Sequence, residues 1–339
     1  MSWPVDDRRG LRRPGATRAA RPASVVYGAL ARTVKLAHDA GLKRPHRATK
    51  PVVSIGGITV GGAGKTPIVR WLAESLAAAG RNPAVLSRGY RGTGGATPRV
   101  VDPRTPDVAR DGDEPALLAR SLPNVAVIAG TDRVAGARLA ISRGADLLLL
   151  DDGFQHRRLH RDLDVVLWDR KAERSEGRLL PDGLLREPLE ALDRADALIL
   201  VDRGDGFPSP PPRGPEPTGR LRLVPAACQP LDSGARLYAV SGLADPESFE
   251  HSLVELGFTV VGAMRFPDHH AFTGTEIRDA EGRAAGLGAD LLAVTAKDWV
   301  RWPRSERRAL PVPAVFDLDV EVVDGDLVEL ALALGRESR

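Results

Sequence analysis

Two rhythms of apolar residues alternate along most of this chain. Short unbroken runs (PVVSI at 51–55, PAVLS at 83–87, NVAVIAG, ADLLLLDD, DLDVVLWD and ADALILVD) read as strands, several of them fully buried. Between them lie stretches with helical spacing. Ile68, Leu72, Leu76 and Ala79 share one face of a helix that ends near Gly80, and further helices are expected at about 115–121 and 132–143. Strand and helix alternate, which predicts an α/β fold built on a mostly parallel sheet.

The rhythm breaks at residues 203–219, RGDGFPSPPPRGPEPTG, where proline and glycine dominate. It then resumes with strand RLYAVSGL, a helix near 246–256, strand FTVVGAMRF, a helix near 275–286 and strand DLLAVTAKD. These form a smaller α/β domain at 234–310. Residues 220–229 and 312–323 flank it and are expected to pair as a two-stranded linker. At the other end, Val26, Leu30, Val34 and Ala37 fall on one face of a helix spanning about 23–40. Arg32 and Lys35 lie beside that face, and Lys43, Arg44, Arg47 and Lys50 follow it. Such a helix can lie in a membrane interface with a basic collar or pack on its own domain. The expected organisation is a disordered basic tail at 1–22, an N-terminal interfacial helix region at 23–50 and a main domain at 51–202. A loop and linker strand at 203–233, the smaller domain at 234–310, and a return strand with a C-terminal helix at 311–330 complete it.

Composition narrows the class. With 339 residues, 42% hydrophobic and 27% charged, the chain can bury a sizeable core and is not a disordered polymer. The net charge of +3 and a pI near 9.2 suit an anionic ligand, yet equally suit an ordinary arginine-rich surface. Aromatic residues make up only 4%, and no stacking motif accompanies the basic residues, which argues against a nucleic-acid partner. The single cysteine, Cys228, excludes an internal disulfide and a cysteine-based metal cluster and points to a reducing compartment. No apolar run approaches the roughly 18–20 residues that span a bilayer.

The chemistry concentrates at a few places. Thr59-Val60-Gly61-Gly62-Ala63-Gly64-Lys65-Thr66 lies between a strand and a helix, the setting of a phosphate-binding loop, although Thr59 stands where that loop usually has glycine. Glycines let backbone N–H groups turn toward phosphate oxygens, and the helix start adds its positive end. Lys65 can reach the terminal phosphates of ATP, and the Thr66 hydroxyl can bind Mg²⁺. The strand of LLLLDDGFQHRR ends in Asp151 and Asp152, where a magnesium-binding carboxylate is expected, though paired aspartates also serve as turn residues. Asp113 in DGDEP can act as a base or cap a helix. Asp268, His269 and His270 in FPDHH can move protons or be plain surface residues.

Taken in order, TVGGAGKTP, SRGYRG, GDEP, DDGFQHRRLHRD, GRLLPDGLLREPL, FPDHHAFT and LLAVTAKD resemble the landmarks of the tetraacyldisaccharide 4'-kinase family over about residues 23–330. The resemblance implies a P-loop NTPase-type domain and a smaller α/β domain joined by a two-stranded linker. It also implies transfer of the γ-phosphate of ATP, with Mg²⁺, to the 4'-hydroxyl of a lipid A precursor disaccharide. On this likeness Asp113, His269 and Lys65 are catalytic, and residues Thr59 to Thr66 bind ATP. Thr66, Asp151, Asp152, Gln155 and Glu187 surround the metal, and Arg88, His156, Arg161 and Arg186 face the substrate. The protein is then expected to be a monomer, peripheral on the cytoplasmic face of the bacterial inner membrane. Two positions depart from the family pattern: the approach to the loop reads Gly56-Gly57-Ile58-Thr59, and the late segment reads Thr295-Ala296-Lys297-Asp298. The rival reading is a P-loop switch or chaperone NTPase without a lipid acceptor. The lysine of Thr295–Asp298 sits one place too late for a guanine reader, which favours ATP.

Overall fold

Strands that are apolar at almost every position need cover on both faces, and parallel strands joined by helices provide it. The computed structural model describes residues 3–8, 45–60, 64–90, 92–303 and 312–334. They divide into two units, a larger one within Pro14–Val224 and Val320–Arg339 and a smaller one within Met1–Arg13 and Pro225–Asp319. The helix expected at 23–40 and the turn residues Gly61, Gly62 and Ala63 lie outside the described residues.

Strand β1 (Val5–Asp7) belongs to the smaller unit. The larger unit then runs β2 (Val52–Gly56), α1 (Lys65–Ala78), β3 (Pro83–Ser87), β4 (Arg99–Val100), α2 (Val108–Asp111), α3 (Asp113–Ser121) and β5 (Ala126–Ala129). It continues with α4 (Arg133–Ser142), β6 (Leu147–Asp151), β7 (Leu163–Asp169), α5 (Arg170–Glu173), a 3-10 turn at Leu189–Arg194, β8 (Ala197–Asp202) and β9 (Pro217–Ala227). The strand order is β9-β8-β7-β2-β6-β3-β5-β4. All neighbours are parallel except β4, which runs against β5. Every residue of β2, β6, β7 and β8 is buried, as continuous apolar runs require. One face packs around Leu86, Ile128, Ala137 and Leu148, the other around Phe154, Trp168, Leu192 and Leu198. Asp132 starts α4 by accepting from the N–H groups of Val134 and Ala135.

In the smaller unit β10 (Arg236–Ser241), α6 (Pro246–Glu255), β11 (Thr259–Arg265), α7 (Gly274–Gly286), β12 (Leu291–Thr295), α8 (Ala296–Trp299) and β13 (Ala314–Gly325) follow in turn. Its sheet is parallel throughout, in the order β1-β11-β10-β12-β13. Thr273 and Glu276 cap α7 reciprocally, a signal written in the sequence as T-x-x-E. The last helix, α9 (Leu327–Ala333), packs on α1 in the larger unit.

Two expectations change. Residues 1–22 are not irregular throughout, because Val5–Asp7 pair in register with Ala263, Met264 and Arg265. Backbone pairing needs no apolar pattern, and side chains fix the segment: Trp3 Nε1 donates to Glu250, and Arg8 pairs with Asp6 and Asp279. The proline-rich stretch ends at Pro217, where β9 begins. It is tied down by Asp202, which accepts from Gly204 and Gly206 N–H, and by Trp168 Nε1 donating to Ser209 O. The flanking segments expected to pair do so: β9 and β13 are neighbours, and each passes from one unit into the other.

Candidate active site

The site grows from the C-terminal ends of β2 and β6, the edge at which ligands bind in parallel sheets. Gly64 has φ +72°, and a Cβ there would meet Leu223 at 2.3 Å, so only glycine fits at the entrance to α1. No side chain caps this helix start, in contrast to the Asp-capped α4, and an uncapped helix start suits an anion. Lys65 follows, 9% exposed, with Nζ 2.7 Å from Asp152 Oδ1. The other Asp152 oxygen accepts from Arg186 Nη1 at 2.7 Å. Asp152 holds φ at +54°, a left-handed conformation that aspartate tolerates better than most residues. Burial alone would raise its carboxyl, but Lys65 and Arg186 outweigh burial and hold it below the usual carboxylate range.

Asp151 is the opposite case. It is buried at the end of β6, accepts from Ser87 Oγ at 3.1 Å, and is pushed up to about 7 by burial, with Glu114 and Asp152 adding repulsion. Burial and the negative charge of Glu114 and Asp152 there outweigh the opposing pull of Lys65 and Arg133. Arg133, absent from the expected set, lies buried beneath them and donates to the carbonyls of Gly130 and Asp151.

Asp113 is the first residue of α3, and the cap position is Gly112, so Asp113 does not cap the helix. Gly112 has φ +89°, and a Cβ there would meet the Tyr90 carbonyl at 2.7 Å. Thr93 N–H and Gly94 N–H donate to the Ala109 and Arg110 carbonyls. The SRGYRG and DGDEP loops are thus laced together by backbone, and Arg88 is exposed.

Several expected ligands have other work. Val60 N–H donates to Leu184 O and Thr59 bridges Leu185, so these two brace the phosphate loop against the LREP segment. That pairing accounts for a threonine where glycine is usual, since the position is extended and buried. Gln155 Nε2 donates to Gly57 O at 2.9 Å and to Glu187 at 3.0 Å. Glu187 in turn is gripped by both Arg194 nitrogens at 2.8 Å. Gln155 and Glu187 thus tie the approach to the phosphate loop to the LREP segment and to Arg194. Arg161 donates to Asp164 and to the His156 and Leu159 carbonyls, which orders the QHRRLHRD loop. Among the described residues no three acidic or histidine side chains converge as a metal cage.

Arg194 went unsuspected because a lone arginine near a proline carries no local signal. It also donates to Phe154 O and stacks 3.6 Å from the Phe154 ring centroid. Arg194→Ala is expected to cost about 2–3 kcal/mol by leaving a part-buried Glu187 without its cation. Urea unfolding checks this, and a change under 0.5 kcal/mol would dismiss the clamp.

His156 is held down to about 4 by burial and by Arg133, Arg158 and Arg161 around it, and its Nε2 has no hydrogen-bond partner. Its ordinary value is 6.5, so the unfolded chain binds the extra proton first. The stability it contributes is complete above about pH 6.5 and is lost as pH falls toward 4. Melting temperatures of wild type and His156→Gln should converge over this window. Parallel curves from pH 7 to 4 would reject the assignment.

In the smaller unit, His269 has φ +63° in the FPDHH loop after β11. Its Nδ1 lies 3.1 Å from Arg301 Nη2, and Arg301 pairs with fully buried Asp298 at 3.0 Å. Lys297 reaches Asp268 at 3.1 Å, and His270 stacks on Phe266 while bonding Glu276. Asp113 and His269 are thus carried by different units.

Residues 16–332 match the family model described as Tetraacyldisaccharide-1-P 4'-kinase. The tetraacyldisaccharide 4'-kinase of Geobacter sulfurreducens is 41% identical over 323 residues, covering 91% of this chain and 90% of that one. That of Anaeromyxobacter sp. (strain Fw109-5) is 44% identical over 312 residues, covering 85% and 83%. The crystal structure of LpxK from Aquifex aeolicus in complex with ATP superposes with a TM-score of 0.72 at 28% identity, covering 93% of this chain and 97% of that one. With a family match over residues 16–332 and relatives above 40% identity, this chain belongs to the tetraacyldisaccharide-1-P 4'-kinase family.

Proposed function

We propose that this protein transfers the γ-phosphate of ATP to the 4'-hydroxyl of a tetraacyldisaccharide 1-phosphate, a lipid A precursor. The observation that carries the reading is the uncapped start of α1 with Lys65 locked to Asp152 beside Asp151, in a chain of this family. Phosphoryl transfer needs positioning and charge neutralisation more than covalent chemistry, and this set supplies both. Lys65 balances charge on the terminal phosphates, and Asp113 accepts the proton of the attacking hydroxyl, with His269 supporting that transfer. Arg88, which is exposed, holds the anionic acceptor in this reading.

The residues suit a magnesium ion carried in with the nucleotide. The crowding that pushes Asp151 up to about 7 is relieved by a dication, and an ion bound mainly by phosphates and water needs few protein ligands. Thr66 and Asp151 or Asp152 would hold it, and it would neutralise charge on the phosphates. Lipid access is proposed from the cytoplasmic face of the inner membrane, with the protein a peripheral monomer. No helix among the described residues is long and apolar enough to cross a membrane.

The test is transfer of label from γ-labelled ATP to a tetraacylated glucosamine disaccharide 1-phosphate in detergent micelles. Label on the lipid supports the reading. Label released only as inorganic phosphate, at the same rate with and without lipid, would put a switch NTPase in its place.

A further inference from the structure

The late Thr295-Ala296-Lys297-Asp298 segment is not absorbed by nucleotide chemistry, yet every polar side chain in it faces the FPDHH loop or its support. Thr295 Oγ1 donates to Asp298 Oδ2 at 2.7 Å, and Gly242 N–H donates to the same oxygen at 3.2 Å. The other Asp298 oxygen accepts from Arg301 Nη1 at 3.0 Å. Asp298 is fully buried and Arg301 is 9% exposed, so the guanidinium has little freedom to reorient. From this mount Arg301 Nη2 meets His269 Nδ1 at 3.1 Å, while His269 N–H donates to Gly242 O at 3.3 Å. Backbone and ring are thus both fixed.

An arginine guanidinium has only donors. The nitrogen it meets must therefore offer its lone pair. We infer that Arg301 is a positioning residue that fixes His269 as the tautomer with bare Nδ1 and protonated Nε2. The proton of the neutral ring sits on Nε2, on the side of Asp268, whose Oδ2 is 3.7 Å away. Lys297 holds Asp268 from its other oxygen, Oδ1. A neutral histidine of this tautomer donates through Nε2 and takes no proton at Nδ1 without giving up Arg301. His269 thereby enters the reaction as a hydrogen-bond donor that steadies a carboxylate or a phosphate oxygen, and the base must be another group. This rests on the proposed role of His269 in the transfer.

The experiment is a long-range ¹⁵N–¹H correlation spectrum of selectively ¹⁵N-histidine-labelled full-length protein at pH 8, with His269→Gln to assign the resonance. The expected result is a pyridine-type Nδ1 and a pyrrole-type Nε2 for His269, with Arg301→Met moving the ring toward a mixture of tautomers. A pyrrole-type Nδ1 in the wild type overturns the inference without any variant having to fold. In the transfer assay Arg301→Met should lower kcat by roughly tenfold or more with the KM for ATP unchanged, and Arg301→Lys should restore part of it. Equal kcat in wild type and Arg301→Met also overturns the positioning role. If His269→Gln turns over like the wild type while the wild-type spectrum shows the stated tautomer, the catalytic reading of His269 fails and the Arg301 hold stands.

Discussion

Lys65→Ala should lower phosphate transfer by about 10²–10³-fold, as removal of one preorganised charge donor from a buried transfer site does. The loss is expected in kcat more than in the KM for ATP, because the cation matters most as charge shifts between the phosphates. The fold should survive. Asp152 keeps Arg186 on its second oxygen, and α1 remains packed through Ile68, Val69, Leu72 and Leu76. Circular dichroism and melting of the variant check that point before kinetics are compared. Activity within threefold of wild type would mean that Lys65 holds Asp152 for structural reasons alone.

The second large effect concerns Asp113. Asp113→Asn should lower kcat by about 10²–10⁴-fold, the range that a general base contributes. Asparagine matches the volume of aspartate and, at the first position of α3, leaves the Gly112 cap untouched. Stability should therefore change little, which separates proton transfer from a packing role. A variant that melts several degrees lower while keeping its kcat would identify Asp113 as part of the lacing between the SRGYRG and DGDEP loops.

The main sheet and the heart of the site were legible because both are written locally. LLLLDD can only be a strand buried on two faces with its acids at the end, and a Gly-Lys-Thr turn between strand and helix has one common use. Lys65, Asp151 and Asp152 accordingly meet where expected. Arg133, Arg194 and Arg301 were not legible, since each works through partners that the fold brings to it. Arg194 touches Phe154, 40 residues away, and Arg301 meets His269 across 32. Gln155, Glu187 and Arg161 have protein partners that the motifs do not announce. A motif marks which residues belong together, but only packing shows whether a polar side chain is turned to a ligand or consumed by a neighbour. Strand β1 was missed for a third reason: three residues at a sheet edge need only their backbone, and VDD carries no period to detect.

That edge strand also sets an order of events during synthesis. Val5 pairs with Ala263, so β1 leaves the ribosome about 250 residues before its partner exists. At typical elongation rates it waits on the order of ten seconds or more, while the larger sheet has all the strands from β2 to β8 in hand. The smaller unit can close only after release of its own late strands, and its first strand must be kept from pairing elsewhere until then. A nascent chain stalled shortly after β8 should therefore protect the larger sheet from protease while leaving Trp3–Arg8 open to cleavage.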